Sequence, residues 1–400
     1  MKICGIICEY NPFHLGHFYQ MEETRRHGMD GIICVMSGNF VQRAEPALLR
    51  KHARAEAAVR SGADLVLELP TPWAISSAET FADGAIHLLS ALPDLTHFSF
   101  GCESGAMEPL TRITNMLDTE EFSSLLKQEL AKGHAFATAR ARALEQLLPG
   151  AEVILKEPNN ILAIEYLKAN QRRGNALIPL AIQRQGGQHD SESPVDDLAS
   201  ARAIRTRLSE DGLDNVRRYL PPASLLLLER EITSGCAPVQ NACLDIAILS
   251  CLKKMQADDF LPYADVSEGL HIRLKEAIDQ ARTRAEAVAL AKTKRYAHAR
   301  IRRIFLNAFL GITAEFTREP PPYLRVLAFN DRGRKLLAQY KKSAGLPIIT
   351  KPTEVKNLST REQRIFSLEV TATELYNLAF PVPQPGMQEW TTSPIYCENT

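Results

Sequence analysis

The sequence lacks a net charge, and we expect neither a membrane-spanning segment nor a secretory signal. Its 47 Lys and Arg residues balance 47 Asp and Glu residues, so no global field favours nucleic acid and any basic surface has to be local. No hydrophobic run reaches the length of a membrane span, and the chain enters an apolar, strand-like run at once. We therefore expect a cytoplasmic protein that does not bind a membrane.

Paired cysteine spacing is also missing. The eight cysteines include no C-x-x-C pair, and Cys4, Cys8 and Cys34 fall in apolar runs, so we expect reduced, buried thiols. His189 and Asp190 are adjacent, but two neighbouring ligands do not make a metal site. We predict no bound structural metal, and no residue stands out as a nucleophile or general base.

Apolar runs and helical patterns alternate over the first 100 residues. Strands are predicted at 3–8, 31–36, 63–69 and 96–100, and helices at 15–27, 48–61 and 80–92. This alternation predicts an α/β fold with a doubly wound parallel sheet and right-handed crossovers. In such sheets ligands bind at the carboxyl ends of the strands.

The pattern changes in the rest of the chain. We predict a helical stretch over 108–148, a short strand at 153–155, a helix from 159 to 168, a strand at 178–182, a polar loop over 185–194 and a helix that opens at 198. From about residue 210 the pattern is helical and has no strand rhythm. Because 400 residues exceed one typical core, more than one domain is expected.

The most informative motif follows the first predicted strand. Asn11-Pro12 ends the strand, since proline donates no ladder hydrogen bond. His14, Gly16 and His17 then fall at the start of a helix, where free N–H groups and the helix dipole favour anions. This His-x-Gly-His arrangement is typical of enzymes that attack the α-phosphate of a nucleoside triphosphate, and it predicts adenylyl transfer. The alternative is a pair of capping histidines in an ordinary turn.

Several spaced segments together resemble one family. PFHLGH, SGNFVQRAEPALL, FGCESG, PNNILAIEYLKA and the Ile-Arg of ASARAIR closely resemble the bacterial tRNA(Met) cytidine acetate ligases. The resemblance implies a Rossmann-like nucleotidyltransferase domain, assigned to residues 1–208, and a mainly α-helical tRNA-binding region, assigned to 209–400. It also implies a reaction: ATP and acetate form acetyl-adenylate, and the acetyl group passes to N4 of the wobble cytidine of elongator tRNA(Met).

The resemblance assigns roles residue by residue. It makes His14, His17 and Arg205 catalytic, with Arg205 on the β and γ phosphates, a task that suits a planar, permanently charged fork. Arg202 stands where related motifs have threonine, so the usual hydroxyl role is open and Ser200 is a partial substitute. The ATP-binding residues implied are Ile7, Cys8, Glu9, Tyr10, Asn11, Pro12, Phe13, His14, Leu15, Gly16, His17, Phe18, Tyr19, Gln20, Gly101, Asn159, Arg184 and Ser200.

The segment after the second strand carries many polar donors. It is expected to hold the acetate carboxylate or to line the cytidine pocket, and the alternative is a plain strand-to-helix loop. The residues concerned are Ser37, Gly38, Asn39, Gln42 and Arg43. Asn159 has an alternative of its own, since asparagine is a favoured helix cap.

A basic run follows residue 282. Between Arg282 and Arg303 there are eight Lys or Arg residues and one acid, Glu286, and helical spacing would place Tyr296, Arg300 and Arg303 near one face. Such a face fits RNA phosphates and base stacking, whereas most charge runs are only solvated. The predicted tRNA-binding residues are Lys292, Lys294, Arg295, Tyr296, Arg300 and Arg303.

ATP is therefore expected as a substrate, with Mg²⁺ on its triphosphate, and acetate and tRNA as the other partners. Two rivals stay open. A small-molecule adenylyltransferase, acting on a mononucleotide or phosphopantetheine, is usually much shorter than this chain. A nucleotide- and RNA-binding relative without catalysis would not need the intact His14, Gly16, His17 and Arg205. Oligomeric state is not predicted.

Overall fold

The computed structural model describes residues 1–103, 105–185, 199–267 and 269–398. Apart from Gln185, the loop predicted at 185–194, including His189 and Asp190, lies outside these ranges, as does the predicted helix start at 198.

The first half of the chain alternates strands and helices as predicted. Its strands are β1 (Ile3–Cys8), β2 (Gly31–Ser37), β3 (Phe40–Val41), β4 (Glu45–Pro46), β5 (Leu65–Leu69), β6 (Leu95–Cys102) and β7 (Ile178–Gln183). Its helices are α1 (Leu15–Arg26), α2 (Lys51–Arg60), α3 (Thr71–Ala74), α4 (Ala78–Ser90), α5 (Met107–Met116), α6 (Glu120–Ala131), α7 (Phe136–Leu147), α8 (Ala151–Ile154), α9 (Pro158–Gln171) and α10 (Ala201–Asp211).

The second half is mainly helical. Its helices are α11 (Pro222–Thr233), α12 (Asn241–Lys254), α13 (Leu270–Gln280), α14 (Arg284–Ala291), α15 (His298–Leu310), α16 (Asp331–Ser343), α17 (Thr360–Asn377) and α18 (Gln388–Thr391). It also contributes three strands: β8 (Leu324–Phe329), β9 (Ile348–Ile349) and β10 (Ile395–Tyr396).

One sheet forms the centre of the molecule, with strand order β10-β8-β5-β2-β1-β6-β7 and β9 beside β8. All its pairs are parallel except the antiparallel pair of β5 and β8. Strands β1, β2 and β5 are apolar runs that are almost entirely buried, because helices cover both faces of such a sheet. The predicted α/β fold is confirmed, and β1 lies centrally, where its carboxyl end meets that of β2 and β6.

One predicted element is wrong. Residues 153–155 do not form a strand: α8 and the turn after it occupy this stretch, which follows Gly150 in a left-handed conformation with φ of 93°. Three apolar residues do not distinguish a strand from a helical turn. The helical stretch predicted over 108–148 is confirmed, and it consists of three helices divided at Thr119, which caps α6, and at Gly133, which has φ of 84°.

The assignment of 1–208 and 209–400 to separate domains stays a prediction, and the sheet crosses that division. β8 pairs with β5 from residues more than 250 positions earlier, with Leu65 opposite Phe329 and Glu68 opposite Arg325.

A buried cluster of charges joins the two halves. Lys51 Nζ donates to Glu68 Oε1 at 2.6 Å and also to Glu389. Arg325 pairs with Glu389 and lies 3.6 Å from Glu68 Oε2. All four side chains are at most 3% exposed, and at such sites each charge needs its partners. Glu369 lies beside them, and burial together with Glu68 raises its pKa to about 8.

In the described ranges no helix combines the length and apolarity that crossing a bilayer requires. Cys4, Cys8 and Cys34 are buried free thiols, as predicted.

We predict that Arg325→Ala lowers the free energy of unfolding by about 3–5 kcal/mol, because it leaves buried carboxylates short of a cation. Urea unfolding followed by circular dichroism measures the change. The control is Lys156→Ala, which removes the exposed pair with Glu152 and should change stability by less than about 0.5 kcal/mol. Equal effects of the two substitutions would contradict a stabilising role of the cluster.

Candidate active site

The turn after β1 is held in a strained conformation. Tyr10 has φ of 47°, a left-handed geometry that costs free energy in a bulky residue and persists where the surroundings enforce it. Asn11 Oδ1 accepts the Leu48 N–H at 2.7 Å, and the Ser224 hydroxyl donates to Phe13 O at 2.7 Å. Neighbouring elements therefore fix the course of the chain between strand and helix.

This turn delivers two histidines to the start of α1. His14 is the N-cap, and its Nδ1 accepts the Gly16 N–H at 3.0 Å. His17 Nδ1 accepts the His14 N–H at 3.3 Å, and the two rings stack with centroids 3.7 Å apart. Because Nδ1 accepts in both rings, the neutral imidazoles carry their proton on Nε2, which is a donor suited to a phosphate oxygen.

Gly16 is required by this packing. A Cβ at this position would lie 2.9 Å from His14 Cε1, closer than a carbon contact allows. The packing of His14 against the start of α1 therefore favours glycine at this position.

Arg205 reaches the same turn from α10. Its Nη1 donates to Asn11 O at 2.8 Å, and its Nη2 lies 3.6 Å from Glu45 Oε2. Burial lowers the pKa of Arg205. Ser200 caps α10 by accepting the Ala203 N–H at 3.1 Å, so the start of a second helix also faces the site.

The opposite wall comes from β6, α9 and the end of β7. Gly101 lies against Arg184, since a Cβ there would be 3.3 Å from Arg184 Cγ. Arg184 N–H donates to Cys102 O at 3.0 Å. Asn159, in the first turn of α9, donates from Nδ2 to Glu103 Oε1 at 2.7 Å.

These groups surround one cavity of about 190 Å³. The predicted residues in its lining are Ile7, Cys8, Glu9, Tyr10, Asn11, His14, His17, Gln20, Gln42, Arg43, Gly101, Asn159, Arg184, Ser200 and Arg205. Gly16 and Tyr19 line a small adjoining pocket. Within the described chain, Pro12, Phe13, Leu15 and Phe18 line neither space, and Phe13 is a core residue.

The predicted acetate and cytidine segment is divided between the cavity and the core. Gln42 and Arg43 line the cavity, whereas Ser37, Gly38 and Asn39 are not in its lining. Asn39 is buried; it accepts the Lys51 N–H and donates to Thr373. The carbonyls of Ser37 and Gly38 accept from a buried guanidinium, that of Arg54.

Charged residues in and around the site escaped the sequence analysis. Arg54 is fully buried in α2 and also donates to Glu9 O. Glu45, on β4, lies between Arg205 and Arg302, with its Oε1 3.3 Å from Arg302 Nη1. Arg54 lies in an alanine-rich helix, and Arg302 in the basic run, so neither position was distinctive in the sequence.

The basic run differs from its predicted form. Helix α15 begins at His298, so Tyr296 precedes it and the predicted helical face is wrong. Tyr296 is 7% exposed, and the Arg300 guanidinium lies 5.0 Å from its ring centroid; the ring belongs to the core instead of an open stacking surface. Arg300 and Arg303 are both held by Asp265. Lys292, Lys294 and Arg295 are exposed.

Among the residues that the structure describes, no three His, Cys, Asp or Glu side chains converge on a potential metal position. The cavity instead combines imidazole and guanidinium donors with the starts of two helices, which is the chemistry of an anion site.

A parallel sheet whose first strand leads into a His-x-Gly-His helix, with an arginine of a later helix facing it, defines a nucleotidyltransferase of the HIGH type. The HIGH Nucleotidyl Transferase family model accordingly matches residues 1–389.

Curated relatives narrow the class. The chain is 37% identical to the tRNA(Met) cytidine acetate ligase of Acetivibrio thermocellus, covering 99% of this chain and 100% of the relative. It is 39% identical to the enzyme of the same name from Caldanaerobacter subterraneus subsp. tengcongensis, covering 95% of this chain and 96% of the relative. The chain belongs to the tRNA(Met) cytidine acetate ligase family.

Solved structures agree with this assignment. Thermotoga maritima TmcAL, in its apo form I, is 34% identical with a TM-score of 0.96, and each chain is covered completely. The same protein bound with alpha-thio ATP is 33% identical with a TM-score of 0.93, again over both whole chains.

We predict that Arg205→Ala weakens ATP binding about 10- to 100-fold, because a hydrogen bond to a charged group contributes about 1.5–3 kcal/mol. Isothermal titration calorimetry with ATP measures the change. Arg202→Ala is the matched control on the same helix: Arg202 is exposed at the cavity edge, and its loss should have less than a third of that effect in free energy. Equal losses would contradict the special role of Arg205.

Proposed function

We propose that this protein activates acetate with ATP and acetylates N4 of the wobble cytidine of elongator tRNA(Met), releasing AMP and pyrophosphate. Membership of a family whose curated relatives carry this ligase's name over their full length is the observation that carries the proposal. We place the reaction in the cytoplasm, where ATP and tRNA are available.

The first step suits the cavity. An acetate oxygen attacks the α-phosphorus of ATP, the bond to the bridging oxygen breaks, and pyrophosphate leaves. His14 and His17 donate to phosphate oxygens as negative charge builds up, and Arg205 takes the leaving pyrophosphate. No general base is needed, because acetate is already ionised, so positioning and charge neutralisation supply the rate.

Mg²⁺ enters in this proposal as part of the ATP substrate. It neutralises the triphosphate and makes pyrophosphate a better leaving group.

The two walls of the cavity divide the substrates. We assign ATP to the wall of Gly101, Asn159 and Arg184, which offers an amide and a guanidinium. ATP binding as such is supported by the likeness to a structure bound with alpha-thio ATP. Gln42 and Arg43, on the β2 side of β1, then face acetate and cytidine.

The exposed basic residues before α15 are the proposed tRNA contact. Lys292, Lys294 and Arg295 precede the helix that reaches the cavity edge through Arg302 and Glu45. A phosphate backbone bound along this segment would therefore lead toward the site.

The deciding experiment supplies the purified protein with ATP, Mg²⁺, radiolabelled acetate and total bacterial tRNA, and separates the digested nucleosides by chromatography. We expect label in N4-acetylcytidine, lost at least 100-fold in His14→Ala and absent without ATP. ATP turnover to AMP with no labelled nucleoside would overturn the tRNA assignment and favour a small-molecule adenylyltransferase. No turnover at all would favour a binding protein without catalysis.

We predict that Lys292→Glu with Lys294→Glu raises the KM for tRNA at least tenfold and lowers the salt dependence of tRNA binding, because each lost phosphate contact removes about one unit from the log–log slope. Acetate-dependent ATP–pyrophosphate exchange should stay within about twofold of the wild type, because no phosphate of the tRNA enters that step.

The matched control reverses two exposed lysines at the end of α16, Lys341 and Lys342. If this control raises the KM equally, the effect reports net charge and the proposed surface is wrong.

A further inference from the structure

Glu9 is placed at the meeting point of the two substrate walls. It is the first residue after β1, the central strand whose carboxyl end opens into the cavity. Its backbone carbonyl accepts from buried Arg54, and its Oε1 accepts the Gln42 N–H at 2.8 Å. Main chain and side chain are thus both anchored, and the carboxylate has a defined orientation.

One oxygen of this carboxylate is still available. Within the described chain, Oε2 of Glu9 accepts no hydrogen bond from protein groups. The side chain is partly buried and lines the cavity, so this oxygen is accessible to a substrate. Since a carboxylate oxygen can accept more than one hydrogen bond, Glu9 can bind a substrate donor without giving up its anchor.

The other carboxylate in the described cavity lining is engaged. Glu45 lies 3.6 Å from Arg205 and 3.3 Å from Arg302. Among the described residues Glu9 has no comparable ion pair at contact distance, although Arg54 of α2, Arg205 of α10 and Arg43 of the turn between β3 and β4 act on it electrostatically. Tyr166 of α9 lines the same cavity, and burial together with the charge of Glu9 raises the pKa of its phenol.

These surroundings adjust the basicity of Glu9 in two directions. Burial raises its pKa, and the Gln42 N–H and the three arginines limit the rise. A raised pKa makes the carboxylate a better proton acceptor than a solvated glutamate.

We propose that Glu9 reads the N4 amine of the target cytidine and accepts its proton during acetyl transfer. This inference rests on the proposed function. The N4–H of cytosine is a donor, and carboxylates are its usual readers, whereas uracil presents an acceptor oxygen at the same place and would be repelled.

The chemistry balances. The N4 lone pair attacks the acetyl carbonyl carbon, forming the C–N bond, and the carbon–oxygen bond to the phosphate breaks, so AMP leaves with the electron pair. The nitrogen becomes acidic as it bonds to the acyl group, and its proton moves to Oε2 of Glu9. No other reactant is required.

The alternative is that Glu9 only anchors the Gln42 backbone. Glu9→Gln separates the two roles, since the amide oxygen can still accept from the Gln42 N–H but the group cannot take up a proton. The matched variant is Glu45→Gln, which alters the other cavity carboxylate in the same way.

The experiment compares two reactions in the full-length proteins at pH 5 to 8.5. The first is acetate-dependent ATP–pyrophosphate exchange, and the second is single-turnover transfer of labelled acetyl to the tRNA(Met) transcript. For Glu9→Gln we expect transfer to fall at least 100-fold more than exchange. Wild-type transfer should rise with pH as Glu9 loses its proton; Glu9→Gln should lack this rise, and Glu45→Gln should keep it.

Equal loss of both reactions in Glu9→Gln, or an unchanged pH profile, would overturn the proposal and leave Glu9 as an anchor. If Glu9→Gln does not fold, Glu9→Asp decides: retained pH-dependent transfer supports a proton acceptor, and transfer without that dependence overturns it. A wild-type protein that exchanges pyrophosphate but transfers nothing to tRNA would overturn the proposed function itself, together with this role for Glu9.

Discussion

The site depends on one buried guanidinium. Arg54 has no exposed surface and donates to the carbonyls of Leu49, Ser37, Gly38 and Glu9. Three of these carbonyls, those of Ser37, Gly38 and Glu9, lie at the ends of β1 and β2, and a buried unpaired carbonyl is costly. Arg54 is itself tolerable inside the protein only because its donors are occupied. The two strand ends and the guanidinium thus stabilise one another, and together they fix the positions of Glu9 and of the turn before Gln42.

The same helix ties the site to the distant half of the chain. One turn before Arg54, Lys51 meets Glu68 and Glu389, while its backbone N–H is held by Asn39. Asn39 in turn donates to Thr373. The loop at the carboxyl end of β2 is therefore stabilised by residues 325–389 although none of those lines the cavity in the described chain.

Local sequence patterns predicted the elements that are determined by residues close together in the chain. The limits of β1 were predicted to the residue, since an apolar run bounded by a proline turn is unambiguous, and the motif at His14 and His17 located the cavity. At residues 153–155 the prediction failed, because three apolar residues are too few to show either the helix or the strand periodicity. The pairing of Arg325 with Glu68 could not be predicted, because the two residues are farther apart in sequence than the length of most domains. The burial of Arg54 could not be predicted either, because an arginine gives the same sequence signal whether it is solvated or buried. Tyr296 was misplaced because the start of α15 has no side-chain cap to mark it.

The antiparallel partner of β5 has a consequence for the newborn protein. Leu69 and Leu324 bound two paired strands separated by some 255 residues, which a ribosome takes on the order of tens of seconds to add. Throughout that interval the apolar β5 has an open edge, and open edges recruit other chains. Completion of the sheet is therefore a late event of synthesis, and the emerging half-sheet is the form most in need of chaperone protection.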